Sequence, residues 1–185
     1  MKHKMSTFIL GFVVVTQIWI PAAMIFSSEK TLEEGAAFKF KTAPVDPYDA
    51  FRGKYVALRF ESAGFEPPAG ELYNRGESIY VSIQEDSEGF AAISAVSRLR
   101  PADPYFVKAQ VKYNYGDSLT IAYPFEKYFL EEFSASRAEE IYRQANRGEK
   151  QEAYVLVRVS TKGDAVIENL IIGGIPLQVL LTEEQ

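Results

Sequence analysis

Between Thr7 and Phe26 the chain carries no charged residue, and no other feature limits so strongly what it can fold into. At about 1.5 Å of rise per residue the stretch spans about 30 Å as a helix, the hydrocarbon thickness of a bilayer. It predicts a transmembrane anchor over residues 7–26 behind a short basic segment, 1–6, that holds Lys2, His3 and Lys4. A cleavable signal peptide shares the layout of basic start and apolar middle. Against cleavage, Ile25 and Phe26 prolong the apolar run past Ala22 and Ala23, so no small-x-small site closes it. Thr16, Gln17 and Pro21 make the helix imperfect, which a bilayer tolerates near its edge or against a partner helix.

Lys2 and Lys4 precede the stretch and a mixed SSEKTLEE follows it, which places the N-terminus in the cytoplasm and everything after the anchor outside. The expected layout is a single pass, a juxtamembrane linker over 27–35 and an extracytoplasmic domain over 36–185. Of 20 basic residues two precede the anchor, leaving 18 against 25 acidic ones. An acidic domain of this kind argues against nucleic acid as a partner. With no cysteine in the chain, the core must hold the domain without disulfides.

After the anchor the apolar period becomes two. AFKFKT (37–42), YVALRF (55–60) and SIYVSIQ (78–84) alternate as half-buried strands do, and FAAISAVSR, YFVKAQVKY, SLTIAY, AYVLVRVS and AVIENLII continue the series. Turn chemistry in AGFEPPAG, EDSEG, NYGD and TKGD separates them, which favours antiparallel meanders. The fold class read from this pattern is mainly β: an antiparallel, barrel- or sandwich-like domain of about eight strands. One amphipathic helix is expected at Ser134–Gly148, where Ala138, Ile141, Tyr142 and Ala145 keep helical spacing and Ser136 with Glu139 makes a capping box.

PVDPYDAFRG reads as a one- or two-turn helix, with Asp46 as N-cap, Pro47 at the first turn and Gly53 just past the end. The chain then enters the strand whose Val56, Leu58 and Phe60 share one face. The stretch APVDPYDAFRGKYVALRF resembles the signature of the GDYXXLXY proteins, through Arg52, Gly53, Lys54, Tyr55, Leu58 and Phe60. AYPFEKYFLEEF resembles that family's Tyr-x-x-Glu-x-Tyr-Phe-x-x-Glu segment, through Tyr123, Glu126, Tyr128, Phe129 and Glu132, and VIENLIIGG is similar to its final strand. Two positions depart from the pattern: the family's Asp is Lys54 here and its last Tyr is Phe60. The resemblance implies a bacterial, membrane-anchored extracytoplasmic protein, often encoded beside multi-spanning membrane proteins, and implies no reaction.

The chemistry narrows by exclusion. The one histidine, His3, lies before the anchor, and without cysteine the domain has no Ser-His-Asp triad, thiol nucleophile or His/Cys zinc site. GxxxxGK[ST] and GxGxxG are absent as well. Glu126, Glu131, Glu132, Glu139 and Glu140 crowd one stretch. Two such carboxylates could hydrolyse a glycoside, or several oxygens could hold calcium. The plainer alternative pairs Glu126 or Glu132 with Arg52 or Lys54. Ser27 and Ser28 follow the anchor, and RGKYVALRF is similar to a strand of type I signal peptidases, which leaves a Ser–Lys peptidase with Lys108 as base. The eleven tyrosines add a binding surface without locating it.

The reading chosen is an accessory or scaffolding protein, without catalytic residues, cofactor or metal, docked on an integral membrane protein of several spans. Arg52, Gly53, Lys54, Tyr55, Leu58, Phe60, Tyr123, Glu126, Tyr128, Phe129 and Glu132 are its candidate interaction residues. A hydrolase and a small-ligand barrel are the rival classes.

Overall fold

The computed structural model describes residues 2–43, 55–68, 71–115, 118–129, 138 and 153–182, with the backbone alone for 2–9. Helix α1, Lys2–Glu34, runs through Pro21 as one unit. Thr16 makes no demand on its surroundings, because its hydroxyl donates to the Phe12 carbonyl at 2.9 Å. Leu10–Glu34 is long and apolar enough to cross a membrane, and among the described residues no part of its apolar window is buried.

The segment expected as a linker, 27–35, is instead the last two turns of α1 plus Gly35. Its Glu, Lys and Leu residues are good helix formers, and Thr31 closes the end by donating its hydroxyl to the Ser27 carbonyl and accepting the Gly35 amide. Thr31 is buried against the domain. Gly35 is needed by close approach: a Cβ there would stand 3.1 Å from the Val159 amide nitrogen and 3.2 Å from the Arg158 Cβ. The next residue already begins β1.

Among the described residues eleven strands follow: β1 Ala36–Lys41, β2 Tyr55–Ala57, β3 Gly64–Phe65, β4 Ser78–Glu85, β5 Ala91–Ser97, β6 Phe106–Tyr115, β7 Ser118–Ala122, β8 Lys127–Phe129, β9 Ala153–Val159, β10 Ala165–Ile172 and β11 Ile175–Pro176. A 3₁₀ turn, Glu61–Ala63, precedes β3, and a short helix α2, Leu177–Thr182, closes the described chain. The eight strands expected from alternation are present, and β3, β8 and β11 are added to them. The short helix expected around Asp46 and most of the one at Ser134–Gly148 fall outside the described residues. Ala138 alone is described there, helical and fully buried.

All pairings are antiparallel, in the orders β1-β9-β10-β11, β2-β8 and β3-β7-β6-β4-β5. Among the described residues a bridge from Thr42 to Phe60, beside the Ala43 amide's bond to the Arg59 carbonyl, joins the first group to the second, and the sheet curls into a nearly closed barrel. The β9–β10 turn completes the curl by reaching β6, where the Lys108 amide donates to the Gly163 carbonyl at 3.0 Å. Gly163 has φ +83° and lies against the Phe106 ring, so both its backbone and its surroundings exclude a side chain.

Alternation fills the interior as expected. Phe38 and Phe40 of β1, Val155, Val157 and Val159 of β9, and Val107, Ala109 and Val111 of β6 point inward and are buried. At the centre Phe40, Phe60, Tyr123 and Phe125 form one aromatic cluster, with ring centroids 5.0 to 5.8 Å apart.

Candidate functional site

The two sequence segments singled out above are neighbours in space. Tyr55, Val56 and Ala57 of β2 pair with Phe129, Tyr128 and Lys127 of β8. The ladder continues where the Leu58 amide donates to the Glu126 carbonyl at 2.9 Å, and again where β3 pairs with β7. Residues 55–65 and 119–129 therefore make one long antiparallel ribbon, bent in one strand by the turn at Glu61–Ala63 and in the other at Tyr123–Glu126. The strand expected over 55–60 stops at Ala57 because this bend sends Phe60 across to Thr42.

The inner face of the ribbon belongs to the core. Val56, Leu58, Phe60, Tyr123 and Tyr128 are all buried. The Tyr123 hydroxyl donates to the Ser62 carbonyl at 2.9 Å, tying the ribbon's two strands together at the bend. Burial pushes the Tyr123 phenol well above its ordinary range, with the Ser62 bond a smaller opposing effect. Tyr128 is raised for the same reason, and the Gln178 amide of α2 reaches its hydroxyl at 3.4 Å. Phe60, which has no hydroxyl, sits edge-on to Phe40 and Tyr123 and needs no polar partner.

The outer face is different. Tyr55 and Phe129, directly opposite each other, hold their rings 5.8 Å apart, and the Lys127 ammonium lies 4.8 Å from the Tyr55 ring centre. Phe129 is 70% exposed, so this small aromatic patch faces outward. Arg52, Gly53, Lys54 and Glu132 lie outside the described residues.

Glu126 was expected to meet Arg52 or Lys54, and the structure gives it Lys112, whose ammonium lies 3.0 and 3.2 Å from its two oxygens. The cause is a bulge in β6 between Val111 and Tyr113, which leaves Lys112 out of the ladder and turns its side chain across β7. A second bulge, in β10 between Ile167 and Asn169, does the same for Glu168, which pairs with Arg158. Arg158 also donates to the Gly35 carbonyl at 3.3 Å, fastening the end of α1 to the sheet.

The catalytic alternatives find little support in this geometry. Glu126 is held as an ion pair, and among the described residues no three His, Cys, Asp or Glu converge on a point where a metal ion could sit. Glu131, Glu139 and Glu140 lie outside the described residues. Lys108 points its ammonium at Asp164, 2.9 Å away, with both side chains about half exposed. A Ser–Lys dyad needs the amine desolvated and unpaired. Ser27 does approach this corner, since it and Asp164 line one groove of about 200 Å³ between α1 and the β9–β10 turn. The barrel interior is filled by the aromatic cluster and its aliphatic neighbours, so the larger hollows, of about 610, 570 and 520 Å³, are surface grooves.

The sequence reading missed Lys112, Lys127, Phe125, Ser62 and Gln178. Only Phe125 carried a signal, as an apolar residue inside the recognised segment. No curated protein and no solved structure matches the chain. The family model described as GDYXXLXY protein matches residues 17–170, from the middle of α1 to the end of β10, and takes in both strands of the bent ribbon. The chain belongs to the GDYXXLXY family.

Proposed function

We propose that this protein is an accessory or scaffolding subunit, held in the cytoplasmic membrane by α1 with its N-terminus inside and its β domain outside, and docked on a multi-spanning membrane protein. The observation that carries the reading is α1 itself. Its large apolar side chains from Leu10 to Phe26 are uncovered by any part of the protein, yet the helix runs without a break into a well-buried β domain. The family is one of unknown function, so it supplies a membrane helix and no reaction. On the domain, the outer ribbon face with Tyr55, Lys127 and Phe129 is the docking surface we assign, and Arg52, Lys54 and Glu132 are candidates by their place in the sequence beside it. Aromatic residues with a polar or cationic neighbour are favoured in such contacts.

Affinity capture of the full chain from a mild detergent tests the reading. A multi-spanning protein should co-purify in constant ratio, and Tyr55→Ser with Phe129→Ser should lower that ratio. Repeated recovery of the protein alone and monomeric would overturn it.

A further inference from the structure

Gln17 lies within about one residue of the middle of the apolar stretch Leu10–Phe26, so its carboxamide falls near the centre of any bilayer that α1 crosses. It is exposed, and no residue of the surrounding apolar window is buried among the described residues. Its main chain is also short of a partner, because the carbonyl of Gln17 belongs to the amide four residues on, and that residue is Pro21, which has none. Thr16, by contrast, satisfies its own hydroxyl on Phe12. One residue thus presents two donors and two acceptors to hydrocarbon, where unmatched polar groups are costly.

The helical phase says which side of α1 carries this burden. Eighteen residues make about five full turns, so Gln17 shares a face with Gly35, the residue pressed against Val159 and Arg158 of the sheet. Leu10 and Met24 fall on the same stripe, seven residues either side. Phe12, Trp19 and Phe26, also seven apart, lie on the opposite face and are 74%, 72% and 71% exposed. The bulky rings therefore point away from the domain, and the polar site points beneath it.

We propose that the stripe Leu10–Gln17–Met24 packs in the membrane against a helix of the docking partner that brings an Asn, Gln, Ser or Thr to the bilayer midplane, and that the Phe12–Trp19–Phe26 stripe faces lipid. The proposal rests on the reading of α1 as an anchor and of the protein as a docked subunit. A second copy does not fit this face. Two-fold symmetry across it would bring both β domains over one interface, since the domain overhangs the Gln17 side. The partner helix must instead end in a short connection beneath the domain.

The test uses the full chain in its own membranes, with a photoreactive phenylalanine placed singly at Leu10, Val13, Met24, Phe12, Trp19, Phe26 or Phe129. Crosslinks from Leu10, Val13 and Met24 to one membrane-spanning peptide holding such a polar residue are expected, with none above background from Phe12, Trp19 and Phe26. Gln17→Leu should weaken co-purification about three- to twentyfold, the range of one interhelical hydrogen bond, while Gln17→Asn and Trp19→Leu leave it unchanged. Crosslinks from both faces alike, from the aromatic face, to a second copy of α1, or to a helix without a polar residue at that level would overturn the proposal. If Phe129 alone captures the multi-spanning protein, docking stands and this helix face is wrong. If no position captures it, docking itself fails.

Discussion

Phe40 and Phe26 are the same residue type in opposite settings: one is fully buried at the centre of the barrel and the other is 71% exposed on α1. The contrast holds for the two regions as wholes. In the domain Val, Ile, Leu and Phe alternate with polar residues and turn inward, whereas along α1 from Leu10 to Phe26 they cover every side and none is buried among the described residues. A hydrophobic share of 47% therefore joins two populations, a core that removes apolar surface from water and a helix that is long, apolar and uncovered enough to suit a bilayer.

Exchanging one residue for another in each region breaks the comparison most directly. Phe40→Ala should lower domain stability by about 3–5 kcal/mol through lost burial and a cavity, while Phe26→Ala should leave the thermal midpoint of the domain unchanged. Equal effects would mean that α1 packs on the domain along its whole length. Next is Gly163→Ala, expected to cost about 1–3 kcal/mol because the new methyl must displace the Phe106 ring at a positive φ. The same exchange at Gly11, with nothing within 4 Å, should cost the domain nothing.

A smaller effect separates buried from surface polarity. Tyr123→Phe removes the bond to Ser62 and should cost about 1 kcal/mol. The buried phenols also set an alkaline limit. Burial, helped by its bond to Glu71, raises Tyr73 from 10.0 to about 12, and Tyr123 is raised by burial too. A group whose pKa is raised on folding holds its proton more tightly when folded, so this stabilisation is complete below about pH 10 and is lost as pH climbs through the folded value. Denaturation midpoints measured across that window should fall, and the tyrosinate absorbance of these two residues should appear only with unfolding. Smallest of all, Lys112→Met should change stability by at most about 1 kcal/mol, as expected of a partly exposed ion pair with Glu126.

What the sequence made legible was whatever has a local period. Twenty uncharged residues announce a helix of membrane length, and Phe38 and Phe40 against Ala37 and Lys39 announce the inner and outer faces of β1. The joint around Tyr55–Phe60 was legible as packing. Its nearness to Tyr123–Phe129 was expected through an ion pair of Glu126 or Glu132 with Arg52 or Lys54, but the strand ladder between them was not, because pairing between segments some seventy residues apart leaves no local mark. The bulge that sends Lys112 to Glu126 was hidden for a related reason: KAQVKYNY reads as even alternation, and only the register against β7 shows the extra residue. Where a juxtamembrane linker was expected, the helix continues through SSEKTLEE to Glu34, with Thr31 turned inward and the charged residues coating the outside.

Gly35 leaves no slack between the anchor and the sheet. Membrane helices commonly lean by about 20° and shift that lean with bilayer thickness or with a neighbour's movement. In α1 a lean of this kind could not be absorbed by a loop, because β1 begins one residue after the helix, Thr31 is buried, and Arg158 of β9, itself paired with Glu168 of β10, donates to the Gly35 carbonyl. If α1 crosses a bilayer, the domain must swing with the helix as the head of a lever does, and a change of helix inclination there reaches the sheet as a rotation of the whole barrel.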